Sequence, residues 1–290
     1  MQPPITASVS VGVIGHSAAA QRRAAVVAAV PEAHLSWGPA WLTGPAGIET
    51  ALADIDVACV ATPLAERDRV ATVVVQHGRH LFLEWPPGAS VRGIQTLAQQ
   101  AEEAAVEVGV SHPLRWHPGL RRLRRQGRVR LLTLTVDLAD LNRWNRTLAD
   151  AADVCAFLAR STAQRVEAEA VRAGAHPVAC AFTLRFHNGA YAQVSLRRAA
   201  ETAATLHVAS PMGAQTVDLT PFFGLVPAPT RPENEVRRAA LQQAPDVQAL
   251  MAVEMRAFIQ AVAHGRPAPA PLHETLQTLR LVERLQARLR

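Results

Sequence analysis

Lysine is absent from this chain of 290 residues, so all 30 of its basic side chains are arginines. Any mechanism that needs a lysine amine, as Schiff base, general acid or phosphate clamp, is excluded. Cysteine is scarce. Cys59, Cys155 and Cys180 lie far apart in apolar stretches and form no CxxC or other metal-ligand spacing. An odd count argues against a disulfide framework, so they are expected to be buried thiols in a reducing cytosol, with no metal site. No uncharged apolar run approaches the roughly 20 residues that span a bilayer. The N-terminus lacks the basic start, apolar core and cleavage site of a signal peptide. The expectation is a cytoplasmic protein with no membrane partner.

Hydrophobic residues make up 49% of the chain and charged ones 19%, which excludes a mostly disordered polymer. At about 150 residues per domain the length suits one large or two ordinary domains. The net charge of +6 comes from charges spread end to end. The one dense cluster is Arg121, Arg122, Arg124, Arg125, Arg128 and Arg130, with a single aromatic, Trp116, just upstream. No nucleic-acid motif accompanies it, and no nucleic-acid partner is expected.

The first half alternates strand and helix. Val9 to Ile14 is β-branched and stops at Gly15, and an alanine-rich helical stretch follows. A brief strand spans residues 33–37, a third is VACVA (57–61) before Thr62-Pro63, and a fourth, 80–83, stops at Pro86-Pro87. Ser90 caps a helix, and a short strand covers 108–111. This alternation predicts a parallel sheet covered on both faces, with ligands at the carboxyl ends of its strands. After residue 128 the pattern changes. A long alternating strand (128–138) and a helix over about 148–159 precede several strands joined by turns, with Asn188-Gly189 as a tight hairpin. That predicts an α+β unit with a mostly antiparallel open sheet, closed by helices over about 246–264 and 272–290. The domains are expected at 1–120 and 121–290, with the last helices able to return to the first. Residues 225–245 read as a surface loop.

Six stretches resemble the Gfo/Idh/MocA oxidoreductase family in the right order: VGVIG (11–15), DVACVATP (56–63), HGRHLFLEWPP (77–87), VSHPLRWHPGLRRL (110–123), FTLRFHNGAYAQV (182–194) and the C-terminal pair of helices (258–283). The resemblance implies a dinucleotide-binding domain and an open-sheet α+β domain with the active site between them. It also implies hydride transfer between NAD or NADP and an alcohol, ketone or imine carbon of a small-molecule substrate. Pairing of the C-terminal sheets implies a homo-oligomer.

The family's proton-handling residues are a lysine plus an Asp and a His four residues apart. By the resemblance these positions fall on Trp85, Arg146 and Asp150, and no histidine lies between His117 and His176. The proton transfer that carbinol chemistry requires therefore has none of its usual groups. In the cofactor loop, Gly15, His16, Ser17 and Ala20 replace the usual glycine pattern, followed by Thr62, Pro63 and Glu84 at later strand ends. The second strand ends Leu35-Ser36-Trp37-Gly38, with neither the acid that holds a ribose nor the arginine that holds a 2′-phosphate. Glycines and prolines over 38–47 suggest that the next crossover helix is lost, or cut to one short turn near 48–53. Arg67 stands where the family has a histidine.

Each feature also has a plainer reading. Gly15 suits any strand-to-helix turn, Glu84 a turn support, and Asp150 with Asp153 an ion-pair network with Arg143 and Arg146. Arg115, His117 and His112 are expected to line the cleft, as anion ligands or as packing. Trp37, Trp41 and Trp85 are expected to fill volume that cofactor and helix would occupy. Three functions follow: an NAD(P)-dependent oxidoreductase with unconventional residues, a cofactor-free partner subunit or small-molecule binder that could join a hetero-partner, and a redeployed non-redox biosynthetic enzyme.

Overall fold

A computed structural model describes residues 8–40, 44–127, 129–174, 176–223 and 247–290. Trp41, Arg128 and the 225–245 segment lie outside the described residues. The chain forms two compact units, Met1–Pro113 with Gln248–Leu276, and Leu114–Val247 with Gln277–Arg290.

The first unit holds a five-stranded parallel sheet. Its strands are β1 (Val9–Ile14), β2 (Ala33–Ala40), β3 (Val57–Val60), β4 (His80–Leu83) and β5 (Val108–Val110). They lie in the order β2-β1-β3-β4-β5. β1, β3, β4 and β5 are apolar runs buried almost throughout, as a sheet covered on both faces requires. Helix α1 (Ala18–Ala28) carries the chain outward from β1 to β2, and α2 (Gly44–Leu52) carries it back past β1 to β3. Because crossovers are right-handed, these opposite directions put α1 and α2 on opposite faces. α2 packs against α3 (Leu64–Gln76), which packs against α4 (Val91–Glu103). On the other face, Arg23 of α1 lies 4.8 Å over the Phe82 ring. Phe258 of α8 (Val247–Ala263) packs on the same ring at 5.1 Å.

This arrangement corrects one expectation. The crossover helix after β2 is present over nine residues. Pro45 sits in its first turn, where a missing N–H costs nothing, and Ile48 and Leu52, one turn apart, are fully buried. Apolar burial at i, i+4 overrides poor helix propensity there. The second strand is also longer than expected, running to Ala40. Relative to the six-stranded 3-2-1-4-5-6 order of dinucleotide folds, the sheet formed by the described residues is one outer strand short. β2 is therefore an edge.

The second unit holds β6 (Leu131–Leu138), β7 (Ala163–Ala173), β8 (His176–Phe186), β9 (Tyr191–Arg198), β10 (Ala203–Ser210) and β11 (Gly213–Asp218). The order is β11-β10-β6-β9-β8-β7, with β6 and β9 parallel and every other pair antiparallel. Asn188-Gly189 makes the expected turn between β8 and β9, Gly189 taking φ +83°. Buried Leu132, Leu134, Val136, Val194 and Leu196 alternate with Thr133, Thr135, Gln193 and Ser195, giving one apolar and one polar face. α5 (Pro118–Arg125), α6 (Trp144–Ala159), a single helical turn α7 (Thr220–Phe223) and the later part of α9 (Leu272–Arg288) complete the unit. α6 begins four residues before the expected start. A tight turn over Leu141–Arg143, capped by the Asp140 side chain, leads into it, so Arg146 and Asp150 both sit on the helix.

Candidate functional site

At the carboxyl end of β1 the chain turns sharply into α1. Gly15 has φ +140°, and a Cβ there would lie 2.7 Å from the Ala61 carbonyl oxygen, so only glycine fits. Ser17 caps α1: its Oγ accepts from the Ala20 N–H at 3.3 Å and donates to the Ala61 carbonyl at 3.4 Å. His16 is exposed and Ala20 buried. Toward the edge strand, the Trp37 indole lies against Gly12, where a Cβ would fall 2.3 Å from the ring. Its Nε1 donates to the Ala51 carbonyl of α2 at 3.2 Å. Extending β2 to Ala40 supplies no ribose ligand, because residues 35–48 contain no acid and no arginine.

At the ends of β3 and β4, Arg67 joins two turns. Its guanidinium donates to the carbonyls of Thr62 (2.6 Å), Glu84 (3.0 Å) and Pro86. The arginine thus satisfies strand-end carbonyls that would otherwise be buried bare. Pro63 is exposed at the start of α3. The Thr62 hydroxyl is buried with no hydrogen-bond partner among the described residues.

Glu84 points into the unit. Its Oε1 accepts from Arg23 Nε at 2.7 Å, and the Arg23 NH2 donates to Ser111 Oγ at 2.9 Å. Ser111 in turn donates to Glu254 Oε2 at 2.9 Å, and the His112 amide donates to Glu254 Oε1. Arg23, Ser111, His112 and Glu254 are all buried. Burial pushes the Glu254 carboxyl up to about 7, against the pull of Arg23 and its two hydrogen bonds. Burial opposes the Arg23 charge as well, but Glu84 and Glu254 outweigh it and hold the guanidinium above its ordinary value. Sequence reading assigned Glu84 and missed its partners. The available signal was a charge on each apolar stripe: Arg23 beside Ala20, Ala24 and Val27, and Glu254 among Leu250, Met251, Met255 and Phe258.

Trp85 is buried and packs against His112 in a tilted pair, ring centroids 4.8 Å apart. His112 Nε2 is 3.2 Å from Thr275 Oγ1. The indole has no proton to exchange near neutral pH, so Trp85 itself cannot serve as an acid or base.

In the second unit, Arg146 and Asp150 pair one turn apart on α6, Nε to Oδ2 at 2.9 Å. Burial raises the Asp150 carboxyl above its ordinary value, with Arg146 opposing. Asp153, on the same helix, faces a different partner. Its oxygens take a two-pronged pair from buried Arg115 at 2.9 and 2.7 Å and accept from Thr278 at 2.9 Å. His117, at the start of α5, packs edge-on against Phe222 at 4.9 Å, and burial lowers its pKa. Thus Trp85 meets His112, Arg146 meets Asp150, and Arg115 meets Asp153. Removing one partner of a buried pair strands the other charge. Asp153→Asn is therefore expected to cost about 3 kcal/mol of unfolding free energy in urea titrations. A loss within error of zero would show that Arg115 finds another partner.

No group of three His, Cys, Asp or Glu residues among the described residues is placed to hold a metal. No described helix is long and apolar enough to cross a membrane. All three cysteines are free and buried, and burial pushes the Cys59 and Cys155 thiols up to about 12.

Residues 9–112 match the profile of the Gfo/Idh/MocA oxidoreductase family, described as an NAD-binding Rossmann fold. Comparison with curated proteins gives no sequence match. Among solved structures, a probable dehydrogenase from Thermotoga maritima is similar at TM-score 0.78 and 15% identity, over 97% of this chain and 96% of the other. GenD2 from gentamicin A biosynthesis, solved in complex with NAD, gives TM-score 0.77 and 20% identity over 99% and 97%. Scyllo-inositol dehydrogenase from Lactobacillus casei, with bound NAD(H) and scyllo-inositol, gives 0.74 and 14% over 97% of each chain. At such identities the likeness is one of fold, and it spans both units. Residues 9–112 thus match an oxidoreductase family's NAD-binding Rossmann fold, and the parallel sheet followed by a mixed, mostly antiparallel sheet is the two-domain fold of these dehydrogenase structures.

Proposed function

We propose that this chain is a non-catalytic, cofactor-free member of its oxidoreductase family, acting as a partner subunit or small-molecule binder. The observation that carries this reading is the carboxyl end of β2. A dinucleotide needs an acid for the adenosine ribose, or an arginine for a 2′-phosphate, at that point. Residues 35–48 offer neither, and the Trp37 indole occupies the surface of Gly12 beside them. The residues present do not fit the adenosine half of NAD or NADP, and no hydride step is routed through it. The replaced positions agree with this. Trp85 packs against His112, and Asp150 is paired with Arg146.

A second reading, an NAD(P)-dependent oxidoreductase with its own proton path, is favoured by one observation. The Thr62 hydroxyl, at the end of β3 next to the Gly15 turn, is buried without a partner among the described residues. Such a group suits a polar ligand atom better than an empty site.

Dehydrogenase assays at 340 nm with NAD⁺ or NADP⁺ and a panel of polyols and sugar nucleotides separate the readings. The proposal expects no turnover from the wild-type chain. It expects none from Trp85→Lys with Asp150→His, which restores two proton-handling groups but no ribose ligand. Turnover by the double variant would show that a working nucleotide site is present, and turnover by the wild-type chain would establish the second reading.

A further inference from the structure

Between Glu107 and Asp137 the chain carries seven arginines and no acid. Two of these arginines are satisfied inside the second unit. Arg115 pairs with Asp153, and Arg124 donates to the Phe157 carbonyl at 2.8 Å while lying 4.1 Å over its ring. Arg122 and Arg125 project from α5 on the side away from buried Leu120 and Leu123. Arg121 is also exposed and lies 4.4 Å over the Trp116 ring. Arg130 is exposed and reaches only a carbonyl, that of Asn188 at 3.4 Å. None of these four has a carboxylate within ion-pair distance among the described residues. Like charge on two adjoining segments, with no carboxylate beside it among the described residues, costs self-repulsion, which an anionic partner would relieve.

The surface beside them is apolar in a way that selects the partner. Leu131, Tyr191 and Met212 are 45%, 39% and 74% exposed. They belong to one end of the sheet: Leu131 sits opposite Tyr191 and Ala209, and Met212 lies in the turn that follows β10. Gln215 donates to Gln126 at 2.7 Å, which ties β11 to the end of α5 and makes helix and strand end one continuous surface. Arg, Tyr and Met are residue types enriched where proteins meet. Single-stranded nucleic-acid sites stack successive bases on several free aromatic faces, whereas here Trp116 lies under Arg121, which leaves Tyr191 as the exposed aromatic of this surface.

We infer that α5 and the adjoining end of the second sheet form a docking surface for an acidic, partly apolar face of a different protein. The inference does not depend on whether the first unit binds a dinucleotide.

The test uses the full chain and three fluorescent probes: an amphipathic peptide of glutamate and leucine, a single-stranded oligonucleotide and a duplex of matched charge. Anisotropy titrations are expected to show saturable peptide binding tighter than either nucleic acid, weakened by salt. Arg122→Glu with Arg125→Glu is expected to weaken it by roughly tenfold or more. Leu131→Ser with Met212→Ser is expected to weaken it severalfold, while the melting temperature stays near that of the wild type. Should the reversal variant fold poorly, Arg122→Gln with Arg125→Gln, which leaves both positions neutral, serves in its place. Absence of peptide binding overturns the inference. So does peptide binding unchanged by the substitutions, or oligonucleotide binding as tight as the peptide's. Self-association in sedimentation experiments that the same substitutions abolish would assign the surface to a second copy and overturn it too.

Discussion

Arg23→Met lowers the stability of the first unit by about 3–5 kcal/mol at pH 8, the largest effect expected of any single substitution in the chain. Methionine matches the aliphatic stem and can still pack on Phe82, so the change removes charge and hydrogen bonds more than volume. Arg23 is 1% exposed and bonds both Glu84 and Ser111. Without it, the Glu254 charge keeps its repulsion from Glu84 and loses the guanidinium that offsets it. The loss has a sign in pH. The stranded Glu254 carboxylate is relieved by protonation, so the cost shrinks toward pH 5 and grows toward pH 8. Urea titrations of the wild type and the variant at both values measure it. A uniform loss of under about 1 kcal/mol would mean that the guanidinium is dispensable and the cluster is wrongly read.

Glu254→Gln shifts stability in the opposite direction. The carboxyl has a folded value of about 7 against an ordinary 4.5, because burial penalises its charge. A carboxylate raised on folding contributes stability that is fully present below pH 4.5 and lost as pH rises through 7. At pH 8 the wild type carries that cost in full, on the order of 3 kcal/mol. Glutamine keeps the geometry: its carbonyl can accept from the His112 amide and its NH2 can donate to Ser111. The variant should match the wild type near pH 5, exceed it at pH 8, and lose most of the stability change between those values. Parallel pH profiles for the two proteins would show that Glu254 is ionised at little cost.

How much of this was readable in the sequence depends on how local each determinant is. The β-branched run ending at Gly15, the Thr62-Pro63 stop and the Asn188-Gly189 hairpin are set by neighbours, and the folded chain keeps each of them. α2 was misread because Gly44, Pro45 and Gly47 argue locally against a helix. The burial of Ile48 and Leu52 that decides it is tertiary. The Glu84–Arg23–Ser111–Glu254 cluster joins α1, two strand ends and α8. Its members are too far apart in sequence for any spacing rule to connect them. Only a charge on an apolar stripe hinted at a partner. The Arg115–Asp153 pair was hidden in the same way: both residues were noticed, one as a cleft residue and the other as a helix-start acid, but their pairing is a fact of packing.

Residues 9–112 match an oxidoreductase family, yet the proposal is that the fold outlasted the chemistry, since function resides in the site and not in the scaffold. The measurement that bears on this most directly is a titration of the purified protein with NADH and NADPH, by calorimetry and by quenching of tryptophan fluorescence. Trp37 and Trp85 stand at the carboxyl-end region of the first sheet and would report a bound nicotinamide. The account predicts no saturable heat and no quenching beyond the inner-filter effect up to millimolar cofactor. Saturable binding of either nucleotide with a micromolar dissociation constant would contradict it and restore the dinucleotide site.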